Sequence, residues 1–339
     1  MKKILCLLVC VLMLFTLCSC QKAGNTDETP TTDPTTTGGS KPSDPSDPSD
    51  PSDPSDPSDP SDPSDPSDPT DPEVPEEPED PTPKTLLELS QHTYTVYDPE
   101  NTRGLSTKSY DFSYGVAKDG VPHNQSVLNQ QTFDSFANVD ALALDTKTQE
   151  KIMYLTFDNG YEYQNLTADI LDTLKEKNVK VTFFVTLSYV KENSQLVQRM
   201  INEGHHVGNH STTHPNFTTI TRTQMAEEIA TLDNYLREHF DYSSPYFRFP
   251  TGAYSENCLE LVTSMGYRSV FWSVAHADWD TANQKGADNA FNTVTSRFHP
   301  GAVILLHAVS RDNAEALGRM IDEAHSQGYR FATLDEYNP

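Results

Sequence analysis

The chain has 339 residues, 24 basic and 50 acidic side chains, a formal net charge of −26 and only 35% hydrophobic residues. So acidic a balance argues against a nucleic-acid partner, whose phosphates call for a basic footprint. Four of the five cysteines (Cys6, Cys10, Cys18 and Cys20) crowd the N-terminus, so Cys258 has no partner downstream and a disulfide-stapled scaffold is excluded.

Lys2 and Lys3 precede an almost unbroken apolar run from Ile4 to Leu17. About fourteen residues is too short to span a bilayer and suits the core of a signal peptide. The run ends in Leu17-Cys18-Ser19-Cys20, which resembles the lipobox of bacterial lipoproteins. That resemblance implies removal of residues 1–19 and a diacylglycerol on the Cys20 sulfur, hence an extracytoplasmic protein anchored to the membrane and facing the cell wall. An ordinary secretory signal rich in cysteine is the alternative.

Residues 20–84 read as a disordered linker. Nine Ser-Asp-Pro triplets fill 43–69 and a Pro/Glu stretch follows, with almost no apolar surface to offset chain entropy. Proline at every third position favours polyproline II, so some sixty residues could reach on the order of 150–200 Å. The segment is either a stalk carrying a head into the wall or a plain solvated spacer. Residues 1–84 hold 18 acidic and 5 basic groups, a net −13, which leaves −13 for the head.

Residues 85–150 are irregular and polar, with short apolar pieces at 94–97 and 141–144, and read as an N-terminal extension of a domain at 151–339. From there, apolar runs rich in β-branched residues recur at 152–157, 181–186, 206–209, 246–249, 269–274, 302–306 and 331–334. Helical stripes lie between them, such as Leu166, Ile170, Leu171 and Leu174, or Met225, Ile229, Leu232 and Leu236. Gly204 and Gly328 stand where helices should end. Continuous apolar strands imply a parallel sheet covered on both faces. Seven strands predict an α/β fold, a distorted, incomplete (β/α)7-type barrel, with its chemistry at the C-terminal ends of the strands.

Several residues capable of chemistry fall at those ends. Asp158 and Asn159 close the first strand, where a carboxylate can serve as a base; Asp-Gly-like turns also end strands for conformational reasons alone. His210 and His214 follow the third strand and can share a metal if the chain between them turns helically. His205, His206 and His239 read as bystanders. Arg248-Phe249-Pro250-Thr251-Gly252 predicts a tight loop able to offer a backbone N–H to an oxyanion. Trp279 reads as either an aromatic wall for a sugar or a core residue, and His307 as either a general acid or a structural histidine.

Their joint order resembles the NodB-homology polysaccharide deacetylases, over about 151–336. The motifs of that family are Thr-Phe-Asp-Asp, His-Ser/Thr-x-x-His, Arg-x-Pro-x-Gly, Asp-x-x-Asp-Trp and Leu-x-His. Within the family the run from His307 to Leu317 is most similar to the delta-lactam-biosynthetic de-N-acetylases. The resemblance implies Asp158 as catalytic base, His307 as catalytic acid, and Asn159, His210 and His214 as ligands of a divalent metal, zinc by expectation. It further implies Arg248, Thr251 and Trp279 at the substrate and oxyanion. Asn159 replaces the usual Asp, which puts metal affinity in doubt, and Ala275 replaces the Asp that opens the fourth motif. Thr251 stands where relatives often carry a basic residue that could meet a substrate carboxylate. The expected activity is deacetylation of N-acetylmuramic acid in the peptidoglycan glycan strand, by a monomer. The alternatives are an N-acetylglucosamine or other polysaccharide deacetylase, and an inactive carbohydrate-binding lipoprotein.

Overall fold

Alternate residues of the first long strand face two different cores, and this alternation places the site. The computed structural model describes residues 94–338; the signal peptide, the lipidation position Cys20 and the Ser-Asp-Pro linker lie outside the described residues. In chain order the elements are β1 (Tyr110–Asp111), α1 (Asn124–Ser135), β2 (Ala141–Leu142), β3 (Ile152–Asn159) and α2 (Leu166–Glu176). There follow β4 (Thr182–Val185), α3 (Leu187–Glu192), α4 (Ser194–Asn202), β5 (His206–Asn209), α5 (Arg222–Phe240), β6 (Tyr246–Phe247) and β7 (Ala253–Tyr254). The chain continues through α6 (Glu256–Ser264), β8 (Arg268–Val270), α7 (Ala287–Thr295), β9 (Ala302–His307), α8 (Arg311–Ser326) and β10 (Arg330–Phe331).

Eight strands form one parallel sheet in the order β10-β3-β4-β5-β6-β8-β2, with β9 paired to β3 as well. A bridge between Val274 and Ile304 brings β9 beside the chain leaving β8, so the sheet curls into a distorted half-barrel. β1 and β7 pair separately and antiparallel. Two strands stop well short of their apolar runs, β6 at Phe247 and β8 at Val270, because Pro250 and the loops around 248 and 272 turn the chain away. The segment expected to be only an extension supplies an edge strand, since β2 pairs in register with Ser269 and Val270.

Met153, Leu155 and Phe157 of β3 pack with Phe183, Ile304, Ile170, Leu171, Leu317 and Ile321 in the core beneath α2 and α8. Tyr154 turns the other way, into the cluster with Phe184, Tyr246 and Val303. A strand has period two. Asp158 therefore shares the inner face with Tyr154 and Thr156, and His307 shares it with Val303 and Leu305. A third cluster, built on Phe133, Phe247, Phe249, Leu261 and Phe271, fastens α1 and α6 to the far edge.

Gly301 opens β9 at φ 72°, and a Cβ there would stand 2.1 Å from the Asp145 carbonyl oxygen. Gly301→Ala is therefore expected to destabilise the domain by about 2–4 kcal/mol, from a left-handed backbone plus overpacking against main chain that cannot yield. Thermal unfolding measures it, and an unchanged midpoint refutes it.

Candidate active site

β3 and β9 are parallel neighbours with Asp158 in register with His307, so the two side chains emerge at one end of the sheet on one face. Both line a cleft of about 910 Å³, together with His210, His214, Thr251 and Trp279. A volume of that size suits a sugar ring and its substituents.

Asp158 is buried and ion-paired, its Oδ1 accepting from Arg248 Nη1 at 2.7 Å. Burial alone would raise its carboxyl, but the charges of Arg248, His210 and His307 outweigh that and hold it below the ordinary carboxylate value. Arg248 itself is 0% exposed. Its Nε donates to the Val270 carbonyl, and its Nη2 donates to Thr156 Oγ1 and the Phe271 carbonyl. The expectation that Arg248 touches substrate is thus corrected: the turn after β6 sends its side chain inward behind Asp158, where it anchors the carboxylate and has no surface left for a ligand.

His307 faces Asp158 with the opposite bias. Its Nδ1 donates to Asp278 Oδ1 at 2.7 Å, and its backbone N–H donates to Asp278 Oδ2 at 2.8 Å. Burial lowers the imidazole, yet the hydrogen bond and charge of Asp278 prevail and its pKa is raised. Asn313 Nδ2 also donates to Asp278 Oδ2, at 2.6 Å, which orients that amide and leaves its oxygen to accept from His276 Nε2 at 2.9 Å. Asp278 and Asn313 carry no role in the sequence reading. The signal was present for Asp278, which stands one residue before Trp279 in the aromatic motif, and Asn313 lies within the run from His307 to Leu317, where no motif gives it a role. A carboxylate biased toward its ionised form beside an imidazole biased toward its protonated form is the arrangement that runs base and acid chemistry at one pH.

His210 and His214 meet differently from the expected helical turn. Residues 210–216 are irregular, and positive φ at Ser211 (70°) and His214 (60°) swings the rings to 4.8 Å between centroids. Asn209 Oδ1 accepts from the Ser211 N–H and Ser211 Oγ from the His214 N–H, which stabilises that loop. Burial pushes His210 down to about 4, so the ring is neutral near pH 7. Its Nδ1 lies 2.9 Å from the Arg248 carbonyl, an acceptor only, so Nδ1 carries the hydrogen and Nε2 keeps its lone pair. Burial lowers His214 too. Asn159 is fully buried; its Nδ2 donates to Thr167 Oγ1 while its Oδ1 has no hydrogen-bond partner. An orphaned buried oxygen is costly, and a cation satisfies it. That oxygen and the two imidazoles are donors of the kind a divalent metal takes, yet Asn159 is not among the residues lining the cleft and its Nδ2 points to α2, and no group of three His, Cys, Asp or Glu that could hold a metal occurs among the described residues.

Thr251 lines the cleft inside the short 3-10 turn Pro250–Gly252 with φ 61°. A β-branched residue in the left-handed region stores on the order of 1–3 kcal/mol, and such strain gathers where a backbone group is being aimed. Trp279 is 59% exposed, with its ring 6.0 Å from that of His307. It is wall, not core.

The profile of the family described as Polysaccharide deacetylase matches residues 145–270. Over 223 residues, 65% of this chain and 83% of the relative, the sequence is 44% identical to the peptidoglycan-N-acetylmuramic acid deacetylase PdaA of Bacillus subtilis. The structure of that protein, a family 4 carbohydrate esterase, superimposes with a TM-score of 0.62 at 38% identity, covering 68% of this chain and 97% of the other. A family 4 carbohydrate esterase from Bacillus anthracis gives a TM-score of 0.56 at 37% identity, with the same shares covered. A peptidoglycan-N-acetylglucosamine deacetylase of Bacillus cereus is 34% identical over 184 residues, 53% of this chain and 66% of the relative.

Proposed function

The chain belongs to the polysaccharide deacetylase family, and on that premise we propose that it hydrolyses the acetamide of N-acetylmuramic acid in peptidoglycan. One observation carries the proposal: Asp158 and His307, poised as base and acid, lie in register on neighbouring strands of one sugar-sized cleft. The 44% identity to a deacetylase of that sugar supports the substrate.

In the proposed reaction Asp158 accepts a proton from water as the oxygen bonds to the acetyl carbon. The oxyanion is met by the backbone N–H at Thr251, aimed by its strained turn. His307 delivers its proton to the sugar nitrogen, the C–N bond breaks, and acetate and a free amine leave. Solvent exchange then returns both groups to their starting states. His210, His214 and Asn159 would hold the divalent metal, zinc by proposal, which supplies Lewis acidity toward the carbonyl and toward water when bound. Asn159→Asp, which exchanges a neutral donor for an anion, is expected to tighten zinc binding at least about tenfold, as added ligand charge does elsewhere. Competition against a chelator measures this; equal affinities would remove Asn159 from the ligand set.

We extend the proposal to place and assembly. The chain is anchored through Cys20, with 20–84 as the stalk, and works as a monomer. One further observation favours N-acetylglucosamine as a second reading: no Lys or Arg stands among the described residues lining the cleft. Mass spectrometry of peptide-free glycan strands after incubation separates the two. Free amine on muramic acid supports the first reading; acetate release from glucosamine alone, or none at all, overturns it.

A further inference from the structure

One wall of the cleft comes from outside the family-matched segment. Tyr114 lines the cleft although it lies well before residue 145, where the match begins. Its hydroxyl donates to the Ala275 carbonyl at 2.9 Å. Its own backbone is tied to α1, since Ser126 Oγ donates to the Tyr114 carbonyl at 2.5 Å and Asn129 Nδ2 to the Ser113 carbonyl at 2.6 Å. Two residues earlier, Phe112 packs on Phe271 and Trp272 with centroids 4.7 and 5.0 Å away, and β1 pairs with β7 directly after the Thr251 turn. Gly252 leaves the room for this: a Cβ there would meet Trp272 at 2.9 Å and Phe112 at 3.4 Å. The strap at 110–114 is therefore fastened at both ends, and the Tyr114 ring is a fixed surface.

We propose that Tyr114 is a specificity-determining residue whose ring takes the lactyl-bearing side of the sugar, so that the strap selects N-acetylmuramic acid over N-acetylglucosamine. This rests on the deacetylase reading above. The two sugars differ only by a lactyl ether, one methyl and one carboxylate. Among the described residues no Lys or Arg lines the cleft to read the carboxylate. The imidazole left over from the mechanism, His276, already commits Nε2 to Asn313. Shape and apolar contact remain, and a wall of that kind discriminates by roughly 10–200-fold.

The test compares the full chain with Tyr114→Ala and Tyr114→Phe on peptide-free peptidoglycan glycan and on an N-acetylglucosamine hexamer. It reads kcat/KM, calorimetric affinity for both glycans, and the unfolding midpoint. Tyr114→Ala is expected to lower the muramic-to-glucosamine preference about tenfold or more, in turnover or, where the hexamer is not cleaved, in affinity. Tyr114→Phe, which keeps the ring, should stay near wild type. An unchanged preference in Tyr114→Ala overturns the inference, as does an equal fall in Tyr114→Phe, which would assign the effect to the hold on Ala275. If Tyr114→Ala does not fold, Tyr114→Leu carries the same expectation. A wild-type chain that releases no acetate from the muramic glycan defeats the deacetylase reading instead, and the affinity ratio still reports on the strap.

Discussion

Asp158→Asn is expected to lower kcat about 10²–10⁴-fold, the range a general base contributes, and to lower the unfolding midpoint as well. The double effect follows from what stands behind the carboxylate. Arg248 is wholly buried and its other partners are neutral oxygens, namely Thr156 Oγ1 and the carbonyls of Val270 and Phe271. Phe184 and Trp272 rings cover it, with Cζ 4.1 and 5.7 Å from their centroids. Removing the single carboxylate leaves that charge uncompensated in low dielectric, at a cost of about 3–5 kcal/mol. The Asn oxygen still accepts one hydrogen bond, so the lower end applies. A domain of this size should then lose about 6–12 °C in midpoint. Arg248→Gln should impair activity without touching substrate, because burial then raises the Asp158 carboxyl unopposed by its main counter-charge. The two substitutions should be far from additive when combined. Activity of Asp158→Asn within tenfold of wild type would remove Asp158 from the chemistry. A loss of activity with an unchanged midpoint would contradict the buried pair.

The strands and the rim on which the site sits were legible because they are written locally. Continuous apolar runs mark buried parallel strands, and five of the expected site residues lie at the ends of three of them: Asp158, Asn159, His210, His214 and His307. What could not be read depends on direction and long-range pairing. The spacing Arg248-x-Pro250 puts an arginine near the cleft, but only the turn after β6 decides that it points inward, toward a carboxylate ninety residues away in sequence. The left-handed conformations at Ser211 and His214 leave no pattern, since neither position carries the Gly, Asn or Asp that marks such a turn. Two-residue strands such as β1, β2 and β7 are shorter than any hydrophobic period, so the strap and its Tyr114 stayed hidden in polar sequence. Asp278 lay in a recognised motif, but its role becomes visible only where β9 delivers His307 beside it.

That delivery sets the second large effect. His307→Gln removes the proton donor and is expected to cost about 10²–10⁴ in kcat. Asp278→Asn leaves the imidazole in place and tests how it is tuned. In the wild-type chain burial pulls the His307 pKa down, and Asp278 more than restores it through one hydrogen bond and its charge. Without that carboxylate burial prevails and the pKa falls. The acid must carry its proton for the amine to leave, so activity is lost as pH rises through this pKa. The alkaline limb of the kcat/KM profile should therefore move to lower pH in Asp278→Asn, while the acid limb, set by ionisation of Asp158, should hold its position. An amide at 278 can also present its N–H to the ring and select the wrong tautomer, a fault known to be severe where a carboxylate orients a catalytic histidine. That fault scales the whole profile without displacing it. The two consequences are separable in one pH series: a lowered plateau reports orientation, and a displaced alkaline limb reports charge. An alkaline limb that stays where it was would mean that Asp278 serves the fold and does not tune the acid.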